Sequence, residues 1–220
     1  MIQTEFQAMT RKPEKIVVAI DGPVASGKST VARLLAEKLG YLHLNTGAIY
    51  RAVTLSVLQS NALAAKTQII KTAKSSAVKF RHGGKVILNG QDVSDDIRSR
   101  EVDNLVPEIA KIPEVRREVV KKQKAIASLT NVVVEGRDIG TVVFPLAKFK
   151  FYLDASLKER SRRRSAELKN KGIKCFLKQI ATEMKERDLK DSARKHSPLK
   201  IAAAAIVIDT TKLSVDKVVA

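Results

Sequence analysis

With 220 residues and a 44% hydrophobic share, the chain is long enough to bury a full core as one domain, or as one domain carrying an insertion. Its single cysteine, Cys175, excludes an internal disulfide and suits a reducing cytoplasm, and no apolar run approaches the roughly 20 residues that a membrane-spanning helix needs. A formal net charge of +18, dispersed between Arg116 and Lys200 with only 4% aromatic residues, argues against a stacking platform for single-stranded nucleic acid and for a phosphate-gathering site on a solvated basic surface.

Residues 1–14 lack the apolar core of a signal peptide and read as a polar tail, with Met9 as an alternative start. Ile16-Val17-Val18-Ala19-Ile20 follows, a β-branched run of the kind that forms a fully buried parallel strand. Directly after it, Gly22-Pro23-Val24-Ala25-Ser26-Gly27-Lys28-Ser29-Thr30 fits G-x-x-x-x-G-K-[ST] without a mismatch. Val31 to Leu39 then reads as a helix, with Leu34, Leu35 and Leu39 at helical spacing and Gly40 as its stop. Strand, glycine loop and helix together are the context of a phosphate-binding loop. Its backbone N–H groups wrap a β-phosphate at the helix N-terminus, Lys28 reaches the β- and γ-phosphates, and the Ser29 hydroxyl ligates Mg²⁺. The chain therefore handles a nucleoside triphosphate.

Tyr41 to Leu44 is a second strand candidate, and Asn45 or Thr46 caps a helix running through Ala52, Val53, Leu55 and Leu58. Arg51 falls about one turn into that helix and leans toward the edge of the sheet that carries the glycine loop. His43 reads as a strand residue without metal-ligand spacing around it. From Asn61 to Thr130 the character changes. A helical run, Lys66 to Ala77, leads to Val78–Arg81 and Lys85–Leu88, two strand-like runs joined by a Gly83-Gly84 turn, with Asn89-Gly90 and a short third strand behind them. Arg98 to Ala110 and Pro113 to Ser128 read as helices, the second burying Val115, Val119 and Ile126. This stretch is too long and too structured for a crossover, so residues 63–130 are expected to form an inserted subdomain.

Asn131 to Val134 returns to the buried-strand pattern and ends in Glu135-Gly136-Arg137-Asp138; Glu135 is placed to hold Mg²⁺ through water. Phe149 to Asp154 and Ala205 to Asp209 complete five strands with helices between them. That alternation implies an α/β chain with a doubly wound five-stranded parallel sheet, its core built from residues 15–62 and 131–220. Ligands on such sheets sit beyond the carboxyl ends of the strands, where Lys28, Arg51, Arg137 and Asp138 converge. Arg160 and Arg164, four apart, share a helix face that joins them at the triphosphate. Arg187, Asp191 and Arg194 form one stripe of a helix within a short lid, about residues 183–198. Two anion positions thus face each other, one for ATP and one for a phosphorylated acceptor. Lys28, Arg137, Arg187 and Arg194 are the cations that would neutralise the transferring group. Two other readings stay open: a kinase for another small phosphorylated acceptor, and a non-catalytic, RNA-associated ATP-binding protein motivated by the +18 charge.

From Ile16 almost to its end the chain resembles the bacterial-type cytidylate kinases, of the nucleoside monophosphate kinase family of P-loop proteins. The resemblance rests on GPVASGKST, on NTGAIYR at 45–51, on the hairpin insertion, and on EGRDIGTVVFP at 135–145. FYLDAS at 151–156, the ERD…D…R stretch at 186–194, SPL at 197–199 and IDTT at 208–211 add to it. It implies phosphoryl transfer from ATP to CMP or dCMP by a cytoplasmic monomer, with neither a membrane nor a specific nucleic acid as partner. It implies Thr46, Arg51, Arg137 and Arg194 at the acceptor phosphate, Asp191 and Arg187 near the ribose, and Arg116 and Asp138 at the cytosine, the insertion binding this acceptor. A carboxylate is the natural partner of the cytosine amino group, and the uracil O4 acceptor would repel it. The chain departs from the family pattern at Pro107, where a base-contacting Ser is usual, and at Leu189-Lys190, where an arginine-rich pair is common. It departs again at Ala204, where an acid is usual, and in a short final helix, Ser214 to Ala220.

Overall fold

Apolar runs that are hydrophobic on both faces can be buried only inside a sheet covered on both sides, and Val18–Ile20 and Val132–Val134 are buried in this way. The computed structural model describes residues 15–170, 172–194 and 197–220; the expected polar tail, and Lys195 and His196 of the expected lid, lie outside them. In chain order the first elements are β1 (Val17–Asp21), α1 (Lys28–Leu39), β2 (Leu42–Asn45), α2 (Thr46–Gln59) and α3 (Lys66–Ser75). The hairpin strands β3 (Val78–Arg81), β4 (Lys85–Leu88) and β5 (Gln91–Asp92) follow, then α4 (Arg100–Lys111) and α5 (Pro113–Ala127). The chain continues through β6 (Val132–Gly136), β7 (Phe149–Asp154), α6 (Leu157–Asn170), α7 (Leu177–Ser192), β8 (Ile206–Asp209) and α8 (Val215–Val219).

The large sheet has the order β2-β6-β1-β7-β8 and all its pairings are parallel. Alternation along the strands divides the core. Ala19, Leu44, Val132 and Val134 face one side and pack with Ile49, Val53 and Val57 of α2, while Val18, Ile20, Val133 and Leu153 face the other, with Val31, Ala32 and Ala36 of α1. Between α2 and β6 the chain builds a second, antiparallel sheet, β3-β4-β5. Its Val78, Val86 and Leu88, with Ile109 of α4 and Val115 and Val119 of α5, belong to the same cluster as α2. The insertion therefore shares the core on one face of the large sheet.

Several element ends differ from the expectation by one to three residues, with local causes. The helix expected from Val31 begins at Lys28, because Gly27 takes a left-handed conformation at φ 93° and the chain turns helical directly after it. The helix expected from Arg98 begins at Arg100, where the Ser99 side chain accepts from Val102 N at 3.4 Å. Ile126 is only partly buried on α5, whose buried side consists of Val115, Val119, Gln123 and Ala127. Cover also thins at one edge: Phe149 is 42%, Val207 52% and Ile206 60% exposed on β7 and β8.

One glycine fixes the junction of sheet and loop. Gly22 has φ +148°, and a Cβ built on it would lie 2.0 Å from the Leu153 carbonyl oxygen of β7. Only a residue without a side chain lets the loop leave β1 so close to its neighbour.

The burial pattern sets a stability contrast. Leu44→Ala, at a fully buried position, is expected to cost about 2–5 kcal/mol in urea unfolding. Val207→Ala, on the exposed edge, should change stability by no more than about 0.5 kcal/mol. Equal losses at the two positions would contradict the core described here.

Candidate active site

All five parallel strands end at one edge of the sheet, and the polar residues of the chain's motifs collect there. Lys28, at the start of α1, is buried and donates from Nζ to the Pro23 carbonyl at 2.6 Å, with Ser26 Oγ at 3.4 Å. Burial, then the nearby Arg137 charge, pushes its ammonium well below the ordinary range, against the pull of Glu135, Asp21 and Asp188. Ser29 Oγ donates to Glu135 Oε2 at 2.7 Å, which brings the two expected Mg²⁺-holding side chains together. Glu135 Oε1 accepts from Asn45 Nδ2 at 2.9 Å and lies 3.2 Å from His43 Nε2. Burial works to raise the Glu135 carboxyl, but the His43 and Ser29 bonds and the Lys28 charge outweigh it and hold the group below its ordinary range. His43 is thus bonded into the site, although among the described residues no group of three or more His, Cys, Asp or Glu is arranged to hold a metal ion. The Thr46 hydroxyl donates to the Glu135 carbonyl at 2.8 Å, and the Asn45 side chain caps α2 by accepting from Ala48 N at 3.0 Å.

A second group of cations surrounds Asp191 of α7, which is 3% exposed. Arg137 Nε donates to Asp191 Oδ2 at 3.0 Å, and Arg194 Nη2 reaches Asp191 Oδ1 at 2.5 Å. Arg137 Nη1 also donates to the Gly22 carbonyl at 2.9 Å, so this guanidinium stands between the glycine loop and α7. Arg187 shares these surroundings with Arg137, Arg51 and Arg164. It makes no side-chain hydrogen bond or ion pair among the described residues. Asp191 is therefore a buried carboxylate between Arg137 and Arg194. Arg51 donates to Asp103 of α4 and to the Ile97 carbonyl at 3.3 Å.

Arg116 of α5 pairs with Asp138, donates from Nε to Ser197 Oγ at 2.9 Å, and stacks over the Tyr50 ring at 5.8 Å from its centre. Asp138 is 6% exposed, and burial pushes the Tyr50 phenol up to about 12. The two residues expected at a base are thus adjacent, beside a half-buried ring.

On the triphosphate side one arginine points elsewhere than expected, and four residues not assigned from the sequence join the site. Arg160 reaches the glycine loop: its Nη1 donates to the Val24 carbonyl at 3.1 Å and to Asp188 Oδ2 at 2.6 Å. Arg164, expected beside it, pairs instead with Glu167 at 2.7 Å. The loop is reached by Arg163, whose Nη1 contacts the Ser26 carbonyl at 3.5 Å and Thr210 Oγ1 at 3.0 Å. Positions three and four along both share a face with Arg160, and packing against the loop selects the first. Asp188, unassigned from the sequence, links α7 to the loop, Oδ1 accepting from Val24 N at 3.4 Å. Thr210 Oγ1 donates toward the Ser26 and Asp154 carbonyls at 3.1 and 2.9 Å. Asp21, at the end of β1, accepts from Ile139 N at 2.8 Å and Gly140 N at 2.7 Å, and so holds the segment that follows Arg137 and Asp138. The IDTT run marked Thr210 in advance and the ERD…D…R stretch marked Asp188, both without a role; nothing local marked Asp21 or Arg163.

The cytidylate kinase family model matches residues 18–220. A cytidylate kinase from Caldanaerobacter subterraneus subsp. tengcongensis is 50% identical over 93% of this chain and 91% of its own length. Cytidylate kinases from Thermotoga neapolitana and Caldicellulosiruptor saccharolyticus are 46% and 44% identical, over 91% and 93% of this chain and 92% of each relative.

The environment of Asp21 has a measurable consequence. Burial pushes its carboxyl from 3.8 up to about 6, the Gly140 and Ile139 N–H groups pulling the other way. The folded chain then holds this proton more tightly than the unfolded one. The group favours folding most below its ordinary range and loses that contribution as pH rises toward the folded value, a decline of about 3 kcal/mol. Asp21→Asn removes it. Urea titrations of both proteins at about pH 4 and about pH 7 should show the variant gaining stability relative to wild type by that order at the higher pH. A pH-independent difference would overturn this assignment.

Proposed function

We propose how the site works from the premise that this chain belongs to the cytidylate kinase family. It transfers the γ-phosphoryl group of ATP to CMP or dCMP, giving ADP and CDP or dCDP. The loop from Gly22 to Thr30 takes the ATP phosphates, its backbone N–H groups and Lys28 neutralising them, with Arg160 behind the loop. Lys28 Nζ now rests on the Pro23 carbonyl and needs only to change partner to meet a phosphate oxygen. Arg164, four residues on, contributes to the potential around Arg187 without touching the loop.

The observation that carries the acceptor reading is the position of Arg137, bonded at once to the loop's Gly22 carbonyl and to Asp191. A guanidinium there lies between a donor phosphate on the loop and an acceptor phosphate held by Thr46, Arg51 and Arg194. It can neutralise charge on the group in flight. Arg187, without an ion pair of its own, is the second cation available to that group. Asp191 also faces the ribose, while Asp138 and Arg116 read the cytosine edge above Tyr50. An acceptor phosphate is already anionic, so no general base is required.

Mg²⁺ suits the donor set. It takes hard oxygen ligands, keeps several waters and needs few protein groups beside the phosphates, and Ser29 Oγ and Glu135, 2.7 Å apart, supply one direct and one water-mediated ligand. Bound there, it would screen the β- and γ-phosphate charges. Within this reading the lid of α7 and the segment after it closes over both nucleotides, and the insertion of residues 63–130 forms the acceptor side. The protein acts as a cytoplasmic monomer without a specific nucleic-acid partner, since the charge is absorbed by phosphate sites and an ordinary basic surface.

A panel of CMP, dCMP, UMP and AMP tests the substrate class: turnover should require CMP or dCMP, and RNA-stimulated turnover without them would refute the reading. Lys28→Ala should leave the fold intact and lower kcat by about a hundredfold or more. Near-wild-type turnover in the folded variant would exclude the phosphate-loop role. Pro107, exposed inside α4, offers no side-chain donor to a base. Pro107→Ser should raise kcat/KM for CMP about two- to tenfold with KM for ATP unmoved, and an unchanged or lower value would count against a base contact from this position.

A further inference from the structure

The acceptor side contains one carboxylate with no role in the reading above. Three acids hold the arginines there: Asp191 between Arg137 and Arg194, Asp138 on Arg116, and Asp103 on Arg51. The first two are nearly buried, with side-chain exposures of 4% and 9%, and face the nucleoside in the proposed complex. Asp103 differs. Its side chain is 46% exposed, and it sits in the first turn of α4, off the stripe that buries Val102 and Ile109. Pro107, one turn on and also exposed, has no N–H to give the Asp103 carbonyl, so this stretch of α4 is not locked by its own backbone bond.

We infer that Asp103 is an affinity-determining residue of the acceptor site: its carboxylate occupies the Arg51 guanidinium that the acceptor phosphate must take. The inference rests on the proposed role of Arg51. A phosphate monoester carries more charge than a carboxylate and presents more acceptor oxygens, so it can displace Asp103 from Arg51. The displaced carboxylate then stays near the bound phosphate and repels it. Arg51 keeps its aim without Asp103, because Nη1 also donates to the Ile97 carbonyl at 3.3 Å. Neutralising Asp103 therefore leaves the guanidinium in place and removes both the competitor and the repulsion. The competing role is structural, an acid at a helix N-terminus that favours α4 through the dipole. It predicts a lower melting temperature and no change in substrate affinity.

Asp103→Asn and Asp103→Ala, compared with wild type at low and high salt, separate these roles, and Arg51→Ala run in parallel tests the premise. An exposed ion pair of this kind corresponds to about a two- to fivefold effect. KM for CMP should fall by that factor in both Asp103 variants at low salt, with KM for ATP unmoved. The gain should shrink at high salt as the charges are screened. In an Arg51→Ala background, Asp103→Asn should have no further effect on KM. A KM for CMP that stays the same or rises in Asp103→Asn, while Arg51→Ala raises it, overturns the inference and leaves the acceptor reading standing. Wild-type KM for CMP in Arg51→Ala removes Arg51 from the acceptor site and overturns both.

Discussion

Guanidinium groups can be crowded at one edge of a sheet only if carboxylates are interleaved with them, and this alternation is the constraint on which the site depends. Arg137 and Arg194 share Asp191, Arg116 has Asp138, Arg51 has Asp103, and Arg160 has Asp188. Each acid comes from a different element than its main arginine, apart from Asp191 and Arg194, so the pairs also tie the elements together. Asp188 and Asp191 are three residues apart on α7, the first bonded to Arg160 and the glycine loop and the second to Arg137 and Arg194. Removing one of the two buried acids, Asp138 or Asp191, would leave a partly buried cation uncompensated.

Much of this was legible in the chain because the signals were local. The glycine loop, its strand and its helix lie within 25 residues, and the hairpin turns on His82-Gly83-Gly84 with strand-like runs on both sides. The parallel sheet followed from strands alternating with helices, although periodicity alone could not show that β7 and β8 would be left partly uncovered. The polar lattice was harder. Arg51 and Asp103 are 52 residues apart, Asp21 and its N–H donors 118 and 119, and Val24 and Asp188 164. No spacing rule reaches that far. In the run Arg162-Arg163-Arg164 the helix period admitted both neighbours of the right face, and only the seating of α6 on the glycine loop distinguished them.

The position of the glycine loop explains why buried charge is tolerated here at all. Lys28, Asp21 and Glu135 are each no more than 5% exposed, Asp21 and Glu135 at the ends of the neighbouring strands β1 and β6 and Lys28 at the start of α1. An isolated charge in such a place would be expelled or neutralised. Each instead meets partners that the fold has already fixed: Pro23 O for the ammonium, two N–H groups of the Ile139–Gly140 turn for Asp21, and the His43 and Asn45 side chains of the β2 end for Glu135. Those backbone groups are held by strands whose side chains fill the core on both faces, so apolar burial sustains the polar edge. The same arrangement determines what the edge can bind. Its donors are rigid and its acceptors are already bonded, so an incoming phosphate finds oriented N–H and guanidinium groups that need exchange partners only, with little reorganisation left for the moment of transfer.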